Sequence, residues 1–184
     1  MKNITASLLH TAWTEEEKLQ LDKIIDFVER FNGKNFLTEA CLYLYQILSI
    51  DYIQIGLAQE VNSKPQINTI VQLYRGQIIA NKCFRLHKSP LSQVFKEDFM
   101  YLPFGLSTMY PDYEVIKQKN FESYIGKPIL NAEDEPLGII VLLHSCIIER
   151  GGFVEALLNA LVPRIETELA AIKVKSHYYL EASY

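Results

Sequence analysis

A short basic segment of the sequence ends at the dipeptide Ser89-Pro90, which is a frequent start of a helix. Serine caps the free N–H groups of a first helical turn, and proline suits the first helical position. Such a helix start carries positive partial charge and attracts a carboxylate or a phosphate. Arg85 and Lys88 lie close by in the sequence. Two interpretations follow: an anion-binding helix start, or plain helix capping beside two solvated basic side chains.

His87 and Cys83 are the residues of this segment that could bind a metal. A metal site needs three or four ligands within reach, and the other histidines lie in other segments of the chain. We therefore expect His87 to be a partly exposed residue at a strand end. The cysteines are odd in number, far apart and without a C-x-x-C spacing, which favours a reducing compartment over a disulfide framework; they are Cys41, Cys83 and Cys146.

The composition is that of a single soluble domain. The chain has 184 residues, of which 49% are apolar and 22% are charged, near the averages of globular proteins. Its 18 basic and 22 acidic residues give a net charge of −4, which disfavours a nucleic-acid partner. The longest apolar run, Leu137–Leu143, is far shorter than the ~20 residues of a membrane span. With no visible signal peptide in residues 1–14, we expect a cytoplasmic protein without direct membrane contact.

Helical patterns occupy both ends of the chain. Thr14 and Glu17 make a capping box for a first helix, which Asn32-Gly33 is expected to end. A second helix follows Asn35. After Gly151-Gly152 a long helix carries apolar residues at the 3-4-3 spacing of a heptad seam, namely Val162, Ile165, Leu169 and Ile172.

The middle of the chain has the pattern of β-strands. Tyr52–Leu57 alternates, and the runs Ile67–Tyr74 and Gln77–Leu86 are joined by a two-residue turn as an antiparallel hairpin. Ser123–Leu130 and Pro136–Ser145 flank a short acidic turn, so they should also pair antiparallel. The last run is almost wholly apolar, which suits a central strand covered on both faces.

Two stretches break this pattern. Val61–Gln66 is polar and contains Pro65, which predicts a turn. Glu97–Asn120 is irregular and rich in aromatic residues, with a possible helix over Pro111–Lys119. Helices at both chain ends and an antiparallel sheet between them define an α+β fold.

Three stretches of this sequence resemble the GAF domain family. Many bacterial GAF sensors carry an aromatic-Ile-Gly-x-Pro-Leu strand, an acidic turn and a Leu-Gly-hydrophobic strand. Here these are Tyr124–Ile129, Glu133–Glu135 and Leu137-Gly138, within Phe121–Leu143. Weaker matches are Tyr52–Leu57 and Phe84–Val94, and the resemblance covers about residues 20–172.

The resemblance implies a profilin-like sandwich with a six-stranded antiparallel sheet. The terminal helices pack on one face of the sheet, and a roof covers a small-molecule pocket on the other. The chain then divides into an N-terminal extension (1–14), the GAF domain (15–175) and a helical tail or linker (176–184). The aromatic residues of the roof either line the pocket or fill it. The pocket candidates are Arg85, His87, Ser89, Tyr101, Phe104, Tyr110, Phe121 and Tyr124.

The cofactors known in this family do not match the sequence. Some GAF domains bind haem or iron, and phytochrome-like ones hold a bilin on a cysteine, but Cys83 lies within a strand, four residues before His87. Asn81-Lys82 is only half of the cyclic-nucleotide signature. GAF-type methionine sulfoxide reductases need closely placed redox cysteines, which are missing here. We expect no haem, bilin or metal, and the ligand stays unknown.

The resemblance also implies a function in signalling. We expect a small-molecule-sensing domain of a histidine kinase or diguanylate cyclase type, which passes its ligand state to an output domain through the terminal helices. The alternatives are a ligand-free dimerisation module and a stand-alone enzyme on the same fold, although no catalytic motif is present. The heptad seam predicts a parallel homodimer through the terminal helices.

Overall fold

The computed structural model describes residues 12–61, 63–87 and 89–181. Residues 1–11 of the expected N-terminal extension, the last three residues of the expected tail, and Lys88 lie outside the described residues. The helices are α1 (Glu15–Arg30), α2 (Phe36–Leu48), α3 (Leu91–Val94), α4 (Leu106–Met109), α5 (Glu114–Lys119) and α6 (Gly151–Glu181). The strands are β1 (Tyr52–Val61), β2 (Lys64–Tyr74), β3 (Gln77–Ile78), β4 (Cys83–Arg85), β5 (Met100–Leu102), β6 (Ser123–Leu130) and β7 (Pro136–His144).

The strands form one antiparallel sheet, as expected. Its order is β3-β2-β1-β7-β6-β5, and β4 also pairs with β2. The apolar strand β7 lies between β1 and β6, which confirms its predicted central position and its antiparallel pairing with β6. The sheet has seven strands rather than six because the predicted strand Gln77–Leu86 is split into β3 and β4.

Two turns decide the shape of this edge of the sheet. Arg75 and Gly76 have φ angles of 49° and 77°, the left-handed pair that a tight two-residue hairpin needs. The predicted turn Val61–Gln66 is shorter than expected, since β1 and β2 continue pairing up to Val61 and Lys64. Pro65 therefore lies inside β2, opposite Glu60.

The first helix begins as the sequence predicts and ends differently. Thr14 accepts a hydrogen bond from the backbone of Glu17, whose carboxylate accepts one from the backbone of Thr14, so the capping box is confirmed. The predicted end at Asn32-Gly33 is wrong, because the C-cap is Phe31 in an extended conformation. Asn35 precedes α2 but makes no side-chain capping bond.

Each face of the sheet has its own apolar core. The terminal helices α1, α2 and α6 cover one face over the alternating residues of β1, which include Ile53, Ile55 and Leu57. The other face is covered by α3 and by the predicted irregular segment Glu97–Asn120, which folds into α4 and α5 and adds β5 to the edge of the sheet. The possible helix over Pro111–Lys119 is only α5, which begins at Glu114.

The heptad seam of α6 belongs to the first of these cores. Ile165 and Leu169 are fully buried against the sheet of their own domain, and Val162 and Ile172 are partly buried there. The predicted role of this seam in a dimer is therefore wrong, because its central residues have no surface left to offer a second chain. Within the described residues, no helix is long and apolar enough to cross a bilayer.

Candidate functional site

A cavity of about 690 Å³ lies between the start of β2, the end of β4 and α3. Its described lining residues are Lys64, Pro65, Arg85, Leu86, His87, Ser92, Phe95 and Lys96. The cavity therefore contains two of the predicted site residues, Arg85 and His87. It contains none of the predicted aromatic candidates among its described lining residues.

Strand pairing positions the walls of this cavity. Arg85 lies opposite Gln66 in the β2–β4 pair, and the N–H of Leu86 donates to the carbonyl of Pro65 at 3.2 Å. The start of β2 and the end of β4 are thereby held together as one wall. Ser92 of the short helix α3, with Phe95 and Lys96 directly after that helix, lines the facing wall.

Positive charge dominates the described lining. Lys64, Arg85 and Lys96 are exposed, and none of them forms an ion pair with a described residue. No aspartate or glutamate is among the described lining residues. Pro65, Leu86 and Phe95 add an apolar surface between these cations. The site can therefore neutralise a negative group while it removes an apolar group from water.

Ser89 does not have the predicted role of a helix cap. Its side chain is buried, and its hydroxyl donates to the carbonyl of Leu86 at 2.7 Å. The helix that follows has only four residues and no side-chain cap. Ser89 therefore fixes the turn between β4 and α3 rather than capping the helix. The anion-binding interpretation of this helix start stays a prediction.

The aromatic candidates are divided between the two sides of the sheet. Tyr101 packs with the helix-side core and donates a hydrogen bond to the carbonyl of Ile148, so it is not part of the roof. Phe104 is 60% exposed. Tyr110, Phe121 and Tyr124 belong to the roof-side core, where they fill space rather than line the cavity.

The Tyr124 hydroxyl lacks a hydrogen-bond partner among the described residues, although the side chain is buried. Burial holds the pKa of Tyr124 well above its ordinary value, and the neighbouring phenols of Tyr113 and Tyr110 raise that pKa further. Burial also raises the pKa of Tyr113. These phenols therefore remain neutral, and the buried Tyr124 hydroxyl is left without a described hydrogen-bond partner.

A buried polar network lies on the same face of β1 and β2. The Tyr52 hydroxyl donates to Oε1 of Gln72, and Oε1 of Gln54 lies 2.8 Å from that hydroxyl. Nε2 of Gln72 donates to Thr69 at 3.0 Å and to the carbonyl of Ala80 at 2.6 Å. This network holds the segment between β3 and β4 against β2. Its signal in the sequence is a glutamine at a position where an alternating strand buries its side chain.

A second polar cluster ties the end of β7 to the start of β1. Asp51 accepts hydrogen bonds from the backbone and hydroxyl of Ser145 at 2.9 and 2.6 Å, and lies 3.0 Å from Nδ1 of His144. Partial burial alone would raise the pKa of Asp51, but the bonds from Ser145, the charge of His144 and a bond from Arg75 hold it below its ordinary value. Because Ser145 bonds to the carboxylate and not to His144, the cluster is no serine-nucleophile triad.

The cysteines do not form a redox pair. Cys41 lies on α2 and is buried in the core between the terminal helices and the sheet, and this burial raises the pKa of its thiol. Cys83 pairs with Asn68 at the level of Leu57 and Gly138 in the sheet, whereas Cys146 follows the far end of β7. The six residue steps from Gly138 to His144 span about 20 Å of strand. Among the described residues, no cluster of three or more His, Cys, Asp or Glu side chains could hold a metal.

The helix α3 connects the cavity to the sheet. Its outer side lines the cavity, while Leu91 and Val94 on its inner side are buried against β6. The opposite face of β6 contacts α6 through the helix-side core, where Ile125 and Ile129 are buried. A displacement of α3 would therefore reach α6 through one strand.

Comparisons with solved structures give relatives of this fold. The GAF domain from Acinetobacter phosphoenolpyruvate-protein phosphotransferase superposes with a TM-score of 0.65 at 14% identity, covering 90% of this chain and 99% of that chain. The A. aeolicus nlh2 GAF domain in an inactive state gives 0.58 at 14% identity, covering 87% and 97%. A free methionine-R-sulfoxide reductase from Neisseria meningitidis, in complex with its substrate, gives 0.62 at 13% identity, covering 91% and 98%.

No protein-family model matches the sequence, and no curated protein matches it. At these low identities the solved structures establish architecture and not activity, since one fold can carry unrelated functions. The sheet order, the terminal helices on one face and the roof on the other agree with the architecture that the sequence motifs implied. The chain therefore has the fold of GAF domains.

Proposed function

We propose that this chain is a small-molecule-sensing regulatory domain of a bacterial signal-transduction protein, of the histidine kinase or diguanylate cyclase type. The observation that supports this proposal most directly is the cavity between β2, β4 and α3. Its volume lies within the roughly 300–1,000 Å³ of small-molecule sites. The GAF fold also supports the proposal, because one of the similar solved structures is a domain of a larger protein. Another is an enzyme.

In this proposal α3 is the element that senses occupancy. A ligand between Phe95 and the end of β4 would press on the outer side of α3, whose inner side rests on β6. The strand would carry the change to α6, which continues as a helix to Glu181. Residues 176–184 then serve as the link to an output domain.

A homodimer through the terminal helices is part of the same proposal, on different residues from the predicted seam. The outer surfaces of α1 and α6 expose large apolar side chains, namely Leu19, Ile25 and Val174. Sedimentation equilibrium of the wild type should show a dimer at tens of micromolar, and Leu19→Glu with Ile25→Glu should give a monomer. A wild type that stays monomeric there contradicts this part.

The test of ligand sensing uses a variant that fills the cavity. Thermal unfolding is recorded with a panel of cellular metabolites at 1 mM for the wild type, for Ser92→Trp and for Gln93→Trp. Ser92 lines the cavity, whereas Gln93 is exposed on the same helix and is not among the described lining residues. At least one compound should raise the midpoint of the wild type and of Gln93→Trp by several degrees, but not that of Ser92→Trp. A panel without such a compound overturns the proposal.

The two alternatives have weaker support. A ligand-free module would have its pocket filled by side chains, and the roof aromatics do fill the space under α3, but the cavity on the outer side of α3 is open. An enzyme on this fold is supported by the similar reductase structure, and opposed by the separation of Cys83 from Cys146. That this domain is not an enzyme stays a prediction.

A further inference from the structure

We propose that the cavity binds an amphipathic organic anion, a carboxylate or phosphate ester attached to an apolar chain or ring. The inference rests on the proposed function, because it names the ligand class of the same cavity. It follows from the charges of the lining, from their lack of partners and from the apolar surface between them.

The cations come from three separate parts of the chain and meet at one cavity. Lys64 begins β2, Arg85 ends β4, and Lys96 follows α3. None of the three has a described acidic partner, so all three can contribute to binding an anion. The chain as a whole carries a charge of −4, so this concentration of positive charge runs against its composition.

The apolar residues of the lining favour a ligand with a carbon chain or ring over a bare inorganic anion. Pro65, Leu86 and Phe95 contribute carbon surface, and Phe95 is half-buried beside the cavity. A free phosphate would leave this surface in contact with water, whereas an attached chain or ring would cover it. A cavity of about 690 Å³ also exceeds what an inorganic anion fills.

Side chains, and not a helix start, hold the anion in this arrangement. The helix α3 has four residues, and the Ser89 hydroxyl is occupied by the carbonyl of Leu86. Arg85 offers a planar fork of N–H donors that matches a carboxylate or phosphate in two parallel hydrogen bonds. Lys64 and Lys96 add further positive charge to the lining.

The test is isothermal titration of the full chain with five probes at low salt. The probes are octanoate, octyl phosphate, octanamide, acetate and inorganic phosphate. We expect octanoate or octyl phosphate to bind at least tenfold more tightly than octanamide, and at least tenfold more tightly than acetate or inorganic phosphate. Whichever of the two eight-carbon anions binds more tightly identifies the head group.

Two substitutions tie binding to the cavity. Arg85→Ala should weaken the better anion at least fivefold, and Lys96→Ala should weaken it in the same direction. Lys34→Ala is the matched control, since Lys34 is an exposed cation between α1 and α2 and does not line the cavity; it should leave the affinity unchanged.

The possible failures separate the ligand class from the proposed function. Octanamide binding as tightly as the anions, or acetate binding as tightly as octanoate, overturns the inference and leaves ligand sensing standing. The inference is also overturned, and ligand sensing still stands, if none of the five probes binds while a metabolite of the panel stabilises the wild type but not Ser92→Trp. If neither the probes nor the panel bind, both the inference and the proposed function fall.

Discussion

Cγ2 of Val94 lies 2.5 Å from the position that a Cβ atom would take on Gly126. The helix α3 thus rests directly on the backbone of β6, with the ring of Tyr124 packed beside it at 2.7 Å from the same position. This close approach requires glycine, and it explains why the Ile-Gly pair occurs in the motif strand. It also places α3 in direct contact with β6, which the proposed sensing needs.

Gly126→Ala should destabilise the fold, because Val94 and the Tyr124 ring must both shift to admit the new methyl group. We expect a loss of about 1–3 kcal/mol in the free energy of unfolding, measured by urea denaturation. Gly33→Ala is the control, since its methyl meets only the tip of the partly exposed Phe31 ring. Equal losses in the two variants would contradict close packing of α3 on β6.

Gly138→Ala should cost more than Gly126→Ala. The added Cβ would lie 2.5 Å from the carbonyl oxygen of Gly56 and 2.6 Å from a methyl of Leu169. The first neighbour is backbone of the paired strand β1, so it has little freedom to move. We expect about 3 kcal/mol or more in the same urea experiment, and a smaller loss than that of Gly126→Ala would contradict this packing of β7 and α6.

Two tyrosines should respond in opposite directions to loss of the hydroxyl. Tyr124→Phe removes a buried hydroxyl without a described partner, so stability should stay equal or rise by up to about 1 kcal/mol. Tyr52→Phe removes the donor to Gln72 and should lower stability by about 1–2 kcal/mol. Both are measured by chemical denaturation. A loss above 1 kcal/mol for Tyr124→Phe would mean that its hydroxyl has a partner.

Asp51→Asn should weaken the protein in a pH-dependent way. The folded pKa of Asp51 lies below the ordinary value of 3.8, so its contribution is complete above about pH 4 and is lost as the pH falls through the folded pKa. We expect a loss of about 1.5 kcal/mol at pH 7 that shrinks below pH 4, measured by denaturation across pH. Asp26→Asn, which breaks an exposed ion pair with Arg30, should have little effect at any pH. A pH-independent loss for Asp51→Asn would contradict the assignment.

The central strands could be predicted because their apolar patterns are compatible with only one order of strands at the centre of the sheet. The run that became β7 is buried on both sides, and only a place between two strands satisfies it. The edge of the sheet could not be predicted in the same way. Whether Gln77–Leu86 stays one strand depends on the bonds of Gln72 to Thr69 and Ala80, which are tertiary contacts without a local pattern.

The candidate site was predicted in part. Arg85 and His87 were among the predicted pocket residues, but Lys64, Ser92, Phe95 and Lys96 were missed. Phe95 packs partly against the roof-side core together with Leu91 and Val94, and its remaining surface lines the cavity. The position of Lys64 depends on the length of the β1–β2 hairpin, which composition alone does not fix.

Hydrogen exchange followed by mass spectrometry tests the central claim most directly. It is applied to the wild type with and without the panel compound that raises its unfolding midpoint most. We predict slower exchange of backbone amides in residues 83–96, at the cavity, and in β6, while the exposed groove between α1 and α2 around Phe27 and Tyr43 stays unchanged. Protection confined to that groove, or a bound compound that leaves both 83–96 and β6 unchanged, would contradict the account.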